Sequence, residues 1–171
     1  INSISEVINS DTQIGDKLKV VFIPNYRVSI AEKIFPAADV SEQISTAGME
    51  ASGTGNMKFS MNGALTIGTL DGANIEIREE VGPENFFLFG KTVPELEELK
   101  SHGYNPWDYY NRNPEIRETL DLLNSDFFSN GQPGMFKPIW DALLTWGDRY
   151  FHLADLEDYL ATQDRIDATY R

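Results

Sequence analysis

The residue types best suited to chemistry lie in one short stretch of the chain. In order, they are Glu50-Ala51-Ser52-Gly53-Thr54-Gly55-Asn56-Met57-Lys58. The small residues precede a helix predicted from about Gly53 to Gly63, and the first turn of a helix has unpaired backbone N–H groups and a positive dipole. Such a turn can hold a phosphate group. The stretch therefore predicts an anion-binding turn with Lys58 about one helical turn further on.

Two nucleotide-binding patterns match this stretch only in part. Gly48 and Gly53 have the spacing of a P-loop, but Thr54 stands where that motif requires lysine. Gly53 and Gly55 supply the first two glycines of a dinucleotide fingerprint, but Lys58 occupies the place of the third. Both nucleotide interpretations are weakened.

Lys58 follows Thr54 by one helical turn, ~5.4 Å, on the same face of the predicted helix. This spacing suits a ligand with a phosphate at one end and an amine-reactive group at the other, and pyridoxal phosphate bound as an imine is such a ligand. A glycine-rich loop before a helix with a surface lysine has the same spacing, so both interpretations stay open. Glu42 and Glu50 are also candidates for hydrogen bonds to sugar hydroxyls, and the neighbouring turn favours only Glu50.

Composition excludes several other kinds of site. The chain has no cysteine, which excludes disulfides, thiolate catalysis and cysteine zinc sites. Its two histidines, His102 and His152, lie far apart, so we expect no metal centre. The net charge of −13 argues against nucleic-acid and membrane-surface partners. With no apolar run near the ~18 residues of a membrane span, we expect a soluble, cytoplasmic protein.

Hydrophobic patterning predicts an α/β fold with a parallel sheet. Buried strands are predicted over Leu18 to Ile23, Leu65 to Leu70 and Phe86 to Phe89, with a short extended stretch from Val40. Helices are predicted before Pro36, after Gly53 with Met57, Met61 and Leu65 on one side, and from Ile75 to Glu80, and a turn is predicted at Asp71-Gly72. From Val93 onward the periodicity is helical. We therefore divide the chain into an α/β cofactor-binding portion, residues 1–92, and a mainly helical continuation, residues 93–171.

Aromatic and acidic residues of the second half are given structural roles. Trp140, Trp146, Tyr150 and Phe151 are expected in the core, and the acidic cluster that includes Asp155 is expected on a solvated helix face.

Several long motifs resemble the α-glucan phosphorylases, the family of glycogen, starch and maltodextrin phosphorylases. They are Asn25-Tyr26-Arg27-Val28-Ser29, Ser41-Glu42-Gln43-Ile44-Ser45-Thr46-Ala47-Gly48, the stretch from Glu50 to Lys58, Asn62-Gly63-Ala64-Leu65-Thr66-Ile67-Gly68-Thr69 and Asp71-Gly72-Ala73-Asn74. The resemblance continues through Glu84-Asn85-Phe86-Phe87 and, more loosely, to Tyr170-Arg171.

The resemblance implies pyridoxal phosphate held as an imine by Lys58. It implies that Gly53, Thr54 and Gly55 contact the cofactor phosphate, and that three further residues lie near the cofactor: Tyr26, Arg27 and Gln43. It assigns the sugar hydroxyls to Glu50, Ala51, Ser52 and Gly53. The implied reaction is phosphorolysis of terminal α-1,4-glucosyl units to glucose 1-phosphate, with a proton exchanged between the cofactor phosphate and the substrate phosphate.

The resemblance also sets expectations about the wider protein. Family members are longer, with two α/β domains around the active site, so we expect this chain to be part of a homodimeric glycosyltransferase and to lack turnover by itself. A pyridoxal-phosphate enzyme of another class, such as an aminotransferase, and a non-catalytic sugar-phosphate-binding module are the alternatives.

Overall fold

The computed structural model describes residues 1–170, so Arg171, the last residue of the resemblance, lies outside the described residues. Three strands form one parallel sheet in the order β1-β2-β3: β1 is Val40–Gln43, β2 is Leu65–Gly68 and β3 is Phe86–Leu88. Val40 is opposite Leu65, and Thr66 is opposite Phe86. The predicted parallel α/β sheet is confirmed, and β2 is its central strand.

Nine α-helices surround or follow the sheet within the described residues. They are α1 Asn2–Ser10, α2 Val28–Ile34, α3 Gly55–Met61, α4 Asn74–Val81, α5 Val93–Ser101, α6 Pro106–Arg112, α7 Pro114–Asn124, α8 Lys137–Trp140 and α9 His152–Tyr170. A π-helical turn, Asp141–Thr145, continues α8. The predicted change from alternating strands and helices to a helical second half is confirmed. None of the described helices is long and apolar enough to span a bilayer.

Local sequence explains where several of these helices begin and end. The α-helical part of α2 stops at Ile34, and Phe35–Ala37 forms a single 3-10 turn around Pro36, as proline requires. Helix α5 begins with a capping box, in which the backbone N–H and the hydroxyl of Thr92 both donate to Glu95. These signals are local, so the sequence predicts them well.

Two apolar clusters form the core. One lies among α6, α7, the π-helical turn and α9, with Ile116, Leu144 and Leu153 almost fully buried. The other lies at the sheet, where Ile67 of β2, Phe89 and Ile166 of α9 meet. Helix α9 therefore packs against both the helical half and the sheet.

The predicted buried strand over Leu18 to Ile23 is wrong for the described residues. This segment has no strand pairing, and Val21 and Phe22 are 72% and 53% exposed. Its backbone is held instead by Asn9, whose side chain donates to the carbonyl of Val20 and accepts from the N–H of Val20. A continuous apolar run is typical of a strand buried on both faces, but the run does not show that neighbouring strands are present to pair with it.

Three structural predictions in the second half are also wrong. Trp146 and Tyr150 are 68% and 45% exposed rather than in the core, because Gly147 and Asp148 both adopt positive φ and turn the chain after the π-helical segment. Asp155 is buried rather than solvated, and its Oδ1 accepts from the N–H of Lys91 at 2.9 Å.

Candidate functional site

The glycine-rich stretch lies in the loop between β1 and α3, at the carboxyl edge of the sheet. This loop, residues 44–54, leaves β1 after Gln43 and leads into α3, which packs back against β1 and β2. The next loop, residues 69–73, leaves the same edge after β2. Ligands of open α/β sheets bind outside the carboxyl ends of the strands. The fold therefore places the candidate residues where a ligand site is expected.

The first part of the 44–54 loop is fixed by two threonine hydroxyls. Thr69 donates to the carbonyl of Ser45 at 2.6 Å, and Thr46 donates to the carbonyl of Tyr150 at 2.5 Å. Thr46 and Thr69 are both buried. The loop is thus tied both to the end of β2 and to the helical half of the chain.

The middle of the loop is held by Asp71, which the sequence interpretation treated only as part of a turn. Its Oδ1 accepts from the N–H of Gly48 at 2.9 Å, and its Oδ2 accepts from the N–H of Glu50 at 2.7 Å. Asp71 is 5% exposed. A short polar residue before glycine signals a turn, but its bonds to the earlier loop depend on the fold.

The backbone of the two loops comes into close contact at Gly72. The N–H of Ala73 donates to the carbonyl of Ser52 at 2.7 Å. A Cβ at position 72, where φ is +50°, would come within 2.4 Å of that carbonyl oxygen. Glycine is therefore required here both by the close approach and by the left-handed backbone.

A buried network of side-chain amides holds the start of α3 in place. Nδ2 of Asn56 donates to Oδ1 of Asn74 at 2.9 Å, and Nδ2 of Asn74 donates to the carbonyl of Thr69 at 3.1 Å. Both asparagines are almost fully buried. Sequence reasoning missed this network, although Asn56 and Asn74 both lie inside quoted motifs. It fixes the beginning of α3 relative to the turn after β2.

The predicted anion-binding turn has the expected backbone form. Gly53 has φ +80°, and Thr54 is the N-cap residue of α3 without a capping hydrogen bond from its side chain. Gly55 begins the helix, and a Cβ there would meet no atom within 4 Å. In the first turn the N–H of Met57 donates to Oδ1 of Asn56 at 2.8 Å, so among the described residues the N–H groups of Gly55 and Asn56 are the ones left for a ligand.

Lys58 lies one turn inside α3, with its side chain exposed. Its Nζ is 5.8 Å from the ring centroid of Phe35, which packs edge-on against Phe59. No carboxylate among residues 1–170 forms a salt bridge with Lys58. The amine is therefore accessible and borders an aromatic surface.

Several of the predicted site residues share the carboxyl edge of the sheet. Glu50, Ala51, Ser52 and the anion-binding turn form one continuous loop leading to Lys58. Gln43 ends β1 at the same edge, where its Nε2 donates to Ser41 Oγ at 2.8 Å.

Tyr26 and Arg27 belong to the segment that leads into α2. Both are exposed, Tyr26 at 58%, and Arg27 is the N-cap residue of α2. No hydrogen bond, ion pair or ring contact joins either residue to the Gly53–Lys58 segment within the described chain. The predicted proximity of these two residues to the cofactor stays a prediction.

A cavity of about 640 Å³ opens between α3 and α4 beside the loop. It is lined by Ala51, Ser52, Met57, Ser60, Met61, Gly72, Ala73, Glu76, Ile77, Glu80 and Val81. Met57 and Met61, predicted to share one side of α3, both line it, and Met61 is 87% exposed. The cavity therefore adjoins two of the residues predicted to contact sugar.

These features fit a phosphate-bearing aldehyde. The glycine turn offers backbone donors and free space for a phosphate, and Lys58 offers an unpaired amine at the spacing of one turn. The buried amide network and Asp71 hold the turn and its preceding loop in place.

Comparison with known proteins identifies relatives over the full length of the chain. The family model for carbohydrate phosphorylases matches residues 1–171. The chain is 58% identical over all 171 residues to glycogen phosphorylase from Synechocystis sp., and 56% and 54% identical to the muscle forms from Bos taurus and Homo sapiens. In each case 100% of the chain covers 20% of the relative. It thus spans about a fifth of the length of these relatives.

The resemblance drawn from the sequence motifs is confirmed by this match. Because the family model covers the chain from its first residue to its last, the chain belongs to the carbohydrate phosphorylase family.

Proposed function

We propose that the protein containing this chain is an α-glucan phosphorylase that uses pyridoxal phosphate. It cleaves terminal α-1,4-glucosyl units of glycogen or a related glucan with inorganic phosphate and releases glucose 1-phosphate. The observation that carries this proposal is the exposed, unpaired Lys58 one turn after the glycine turn, at the carboxyl edge of the sheet in a member of this family.

Lys58 would hold the cofactor through its amine, and Gly53, Thr54 and Gly55 would bind the cofactor phosphate. The first-turn N–H groups and the positive end of the helix favour an anion there, and the Thr54 hydroxyl can add one donor because it makes no capping bond. When bound, the cofactor supplies a phosphate group that titrates near neutrality and can exchange a proton with the substrate phosphate.

Two further groups of residues complete the proposed site. Tyr26, Arg27 and Gln43 would lie near the cofactor. The sugar hydroxyls would be contacted by Glu50, Ala51, Ser52 and Gly53. For Ala51 and Ser52 this role is supported by their position in the lining of the α3–α4 cavity. A carboxylate at Glu50 is an acceptor for hydroxyl donors.

The wider architecture follows from the same proposal. The full-length protein would be a cytoplasmic homodimer. In each subunit the active site would form between two α/β domains, and residues 1–92 would be the cofactor-binding portion of the second domain. Residues 93–171 would be its helical continuation. The separate apolar cluster among α6, α7 and α9 supports this division.

The test separates cofactor binding from sugar binding in the full-length protein. Lys58→Ala should abolish the cofactor absorbance. Thr54→Ala removes one hydroxyl donor to a charged phosphate, a bond worth ~1.5–3 kcal/mol, and should lower cofactor affinity. Glu50→Gln should keep the cofactor absorbance while weakening turnover of glucose 1-phosphate. Equal cofactor loss in the Thr54 and Glu50 variants would contradict this division of roles.

Borohydride reduction tests the proposed reaction class. Reduction fixes the cofactor to the lysine, which abolishes chemistry at the aldehyde, as in an aminotransferase. Phosphorolysis should largely survive, because it depends on the cofactor phosphate. Loss of all activity after reduction would favour the aminotransferase class, and sugar-phosphate binding without any cofactor would favour a non-catalytic module.

A further inference from the structure

The 44–54 loop follows Gln43, the last residue of β1, and contains no helix or strand. Its shape therefore depends on hydrogen bonds from outside the loop. Around the proposed sugar-contacting residues, three such bonds come from one short turn after β2. Asp71 accepts from the N–H groups of Gly48 and Glu50, and Ala73 donates to the carbonyl of Ser52. The turn therefore holds the loop on both sides of Ala51.

The carboxylate of Asp71 is suited to this role because each of its oxygens accepts one backbone N–H. It is 5% exposed, and no lysine, arginine or histidine within residues 1–170 forms a salt bridge with it. The two amide donors thus offset its buried charge. An asparagine has only one oxygen acceptor, so its NH₂ group would face one of the two backbone donors.

The distance between turn and loop is also fixed sterically. Gly72 sits against the carbonyl of Ser52 so closely that a Cβ would come within 2.4 Å of its oxygen. Glycine at position 72 therefore permits the 2.7 Å bond from the N–H of Ala73 to Ser52, and the Asp71 bonds hold the loop at this short distance.

We propose that Asp71 is a positioning residue for sugar recognition. Both of its carboxylate oxygens are occupied by backbone N–H groups of the loop. It places the backbone of Gly48 and Glu50, and through them the side chain of Glu50, at the geometry that the sugar hydroxyls require. This inference rests on the proposed function of the Glu50–Gly53 loop, and it assigns sugar affinity, separately from cofactor binding, to a residue outside that loop.

The experiment uses the full-length protein and the substitution Asp71→Asn, which keeps the size of the side chain. We expect the KM for glucose 1-phosphate in glucan synthesis to rise about tenfold, the ratio that corresponds to ~1.4 kcal/mol. Cofactor content, measured by absorbance, should stay unchanged. Asp71→Ala gives a second variant, in which water can enter and satisfy both N–H groups; its KM should rise in the same direction.

Asp148→Asn is the matched control. Asp148 is 1% exposed and accepts from the N–H groups of His152 and Leu153 and from the hydroxyl of Tyr104. Its turn contacts the 44–54 loop through the bond from Thr46, which lies before Gly48, to the carbonyl of Tyr150. This variant should lower the melting temperature like Asp71→Asn but leave the KM within about twofold, since none of the bonds to Asp148 involves residues 48–52.

The outcomes separate this inference from the function on which it rests. If Glu50→Gln weakens turnover while both Asp71 variants keep the wild-type KM, the positioning role is overturned and the sugar site stands. An equal rise of KM in the Asp71 and Asp148 variants also overturns it, because loss of stability alone would then explain the effect. If neither Glu50→Gln nor the Asp71 variants affect sugar kinetics, the sugar assignment fails as well.

Discussion

The phenol of Tyr159 on α9 donates a hydrogen bond to Oε2 of Glu42 on β1, at 2.9 Å. Gln163, one turn later, donates to Oε1 of the same carboxylate at 2.7 Å. Glu42 was considered with Glu50 as a candidate for sugar binding, but both of its carboxylate oxygens accept hydrogen bonds from α9. Its observed contacts fasten the edge strand β1 to the last helix.

This pair predicts a measurable coupling between strand and helix. Tyr159→Phe removes one of the two bonds to Glu42 and also the bond that Tyr159 accepts from Gln163, so it should lower the free energy of unfolding by about 1 to 2 kcal/mol. A double-mutant cycle with Glu42→Ala, which leaves no acceptor at position 42, followed by denaturant unfolding, isolates the pairwise contribution. Strictly additive effects of the two substitutions would show that the bond does not contribute to stability.

The second prediction concerns alkaline pH and the contact of Tyr104 with Asp148. The hydroxyl of Tyr104 donates to Oδ2 of Asp148 at 2.7 Å, and burial, followed by this bond, raises the pKa of Tyr104. The folded protein therefore keeps the phenol protonated while the unfolded chain loses the proton near pH ~10. Stability is full below that pH and falls as the pH rises towards the folded-state pKa.

Tyr104→Phe should consequently reduce the loss of stability between pH 9 and 11, although it lowers stability at pH 7 by removing the bond to Asp148. Melting temperatures across this range measure both effects. Tyr150→Phe, at a residue that is 45% exposed, serves as the control and should keep the wild-type alkaline slope. Equal slopes for wild type and Tyr104→Phe would contradict the prediction.

The third prediction compares two carboxylates of α9 that have opposite pKa shifts. Burial raises the pKa of Asp155, whereas hydrogen bonding from Arg112 lowers the pKa of Glu157. The contribution of Asp155 to folding stability is present below its unfolded-state pKa, ~3.9, and is lost as the pH rises through its folded-state pKa. The contribution of Glu157 to folding stability is present above its unfolded-state pKa, ~4.3, and is lost as the pH falls through its folded-state pKa.

The stability of Asp155→Asn relative to wild type should therefore be higher at pH 7 than at pH 3.5. The stability of Glu157→Gln relative to wild type should be lower at pH 7 than at pH 3.5. Thermal unfolding at the two pH values gives the sign of each change. The same sign for both variants would show that a shared helix-end effect, rather than burial and ion pairing, governs these groups.

The parts of the fold that the sequence predicted are those encoded by neighbouring residues. Proline ended α2, the turn residues Asp71 and Gly72 closed the segment after β2, and alternating elements predicted the parallel sheet. The apolar run from Leu18 to Ile23 was wrongly assigned to a buried strand, because hydrophobicity alone does not show which strands pair with a segment.

The candidate site divides in the same way. Glycines before a helix and a lysine one turn later are local signals, and the structure places them at the start of α3, where anion binding stays a proposal. The contacts that hold this turn join residues from different loops, as Asn56 joins Asn74 and Asp71 joins Gly48. No periodicity or spacing rule links such residues, so only the folded structure identifies them.

The last prediction concerns the segment from Leu18 to Ile23 in the 171-residue chain by itself. Four of its apolar residues are at least 39% exposed: Leu18, Val21, Phe22 and Ile23. Contiguous exposed apolar surface promotes association between chains. We expect the wild-type chain to self-associate in light scattering, and the double substitution Val21→Asp with Phe22→Asp to shift it towards the monomer.

The control places the same two charges on exposed apolar residues of the helical half. Ile139 and Trp146 are 47% and 68% exposed but lie in α8 and just after the π-helical turn, outside the apolar run. Ile139→Asp with Trp146→Asp adds the same net charge, so it should leave association unchanged if the segment from Leu18 to Ile23 is responsible. Dissociation by both double variants to the same extent would indicate general charge repulsion instead, and a monodisperse wild-type monomer would contradict the prediction outright.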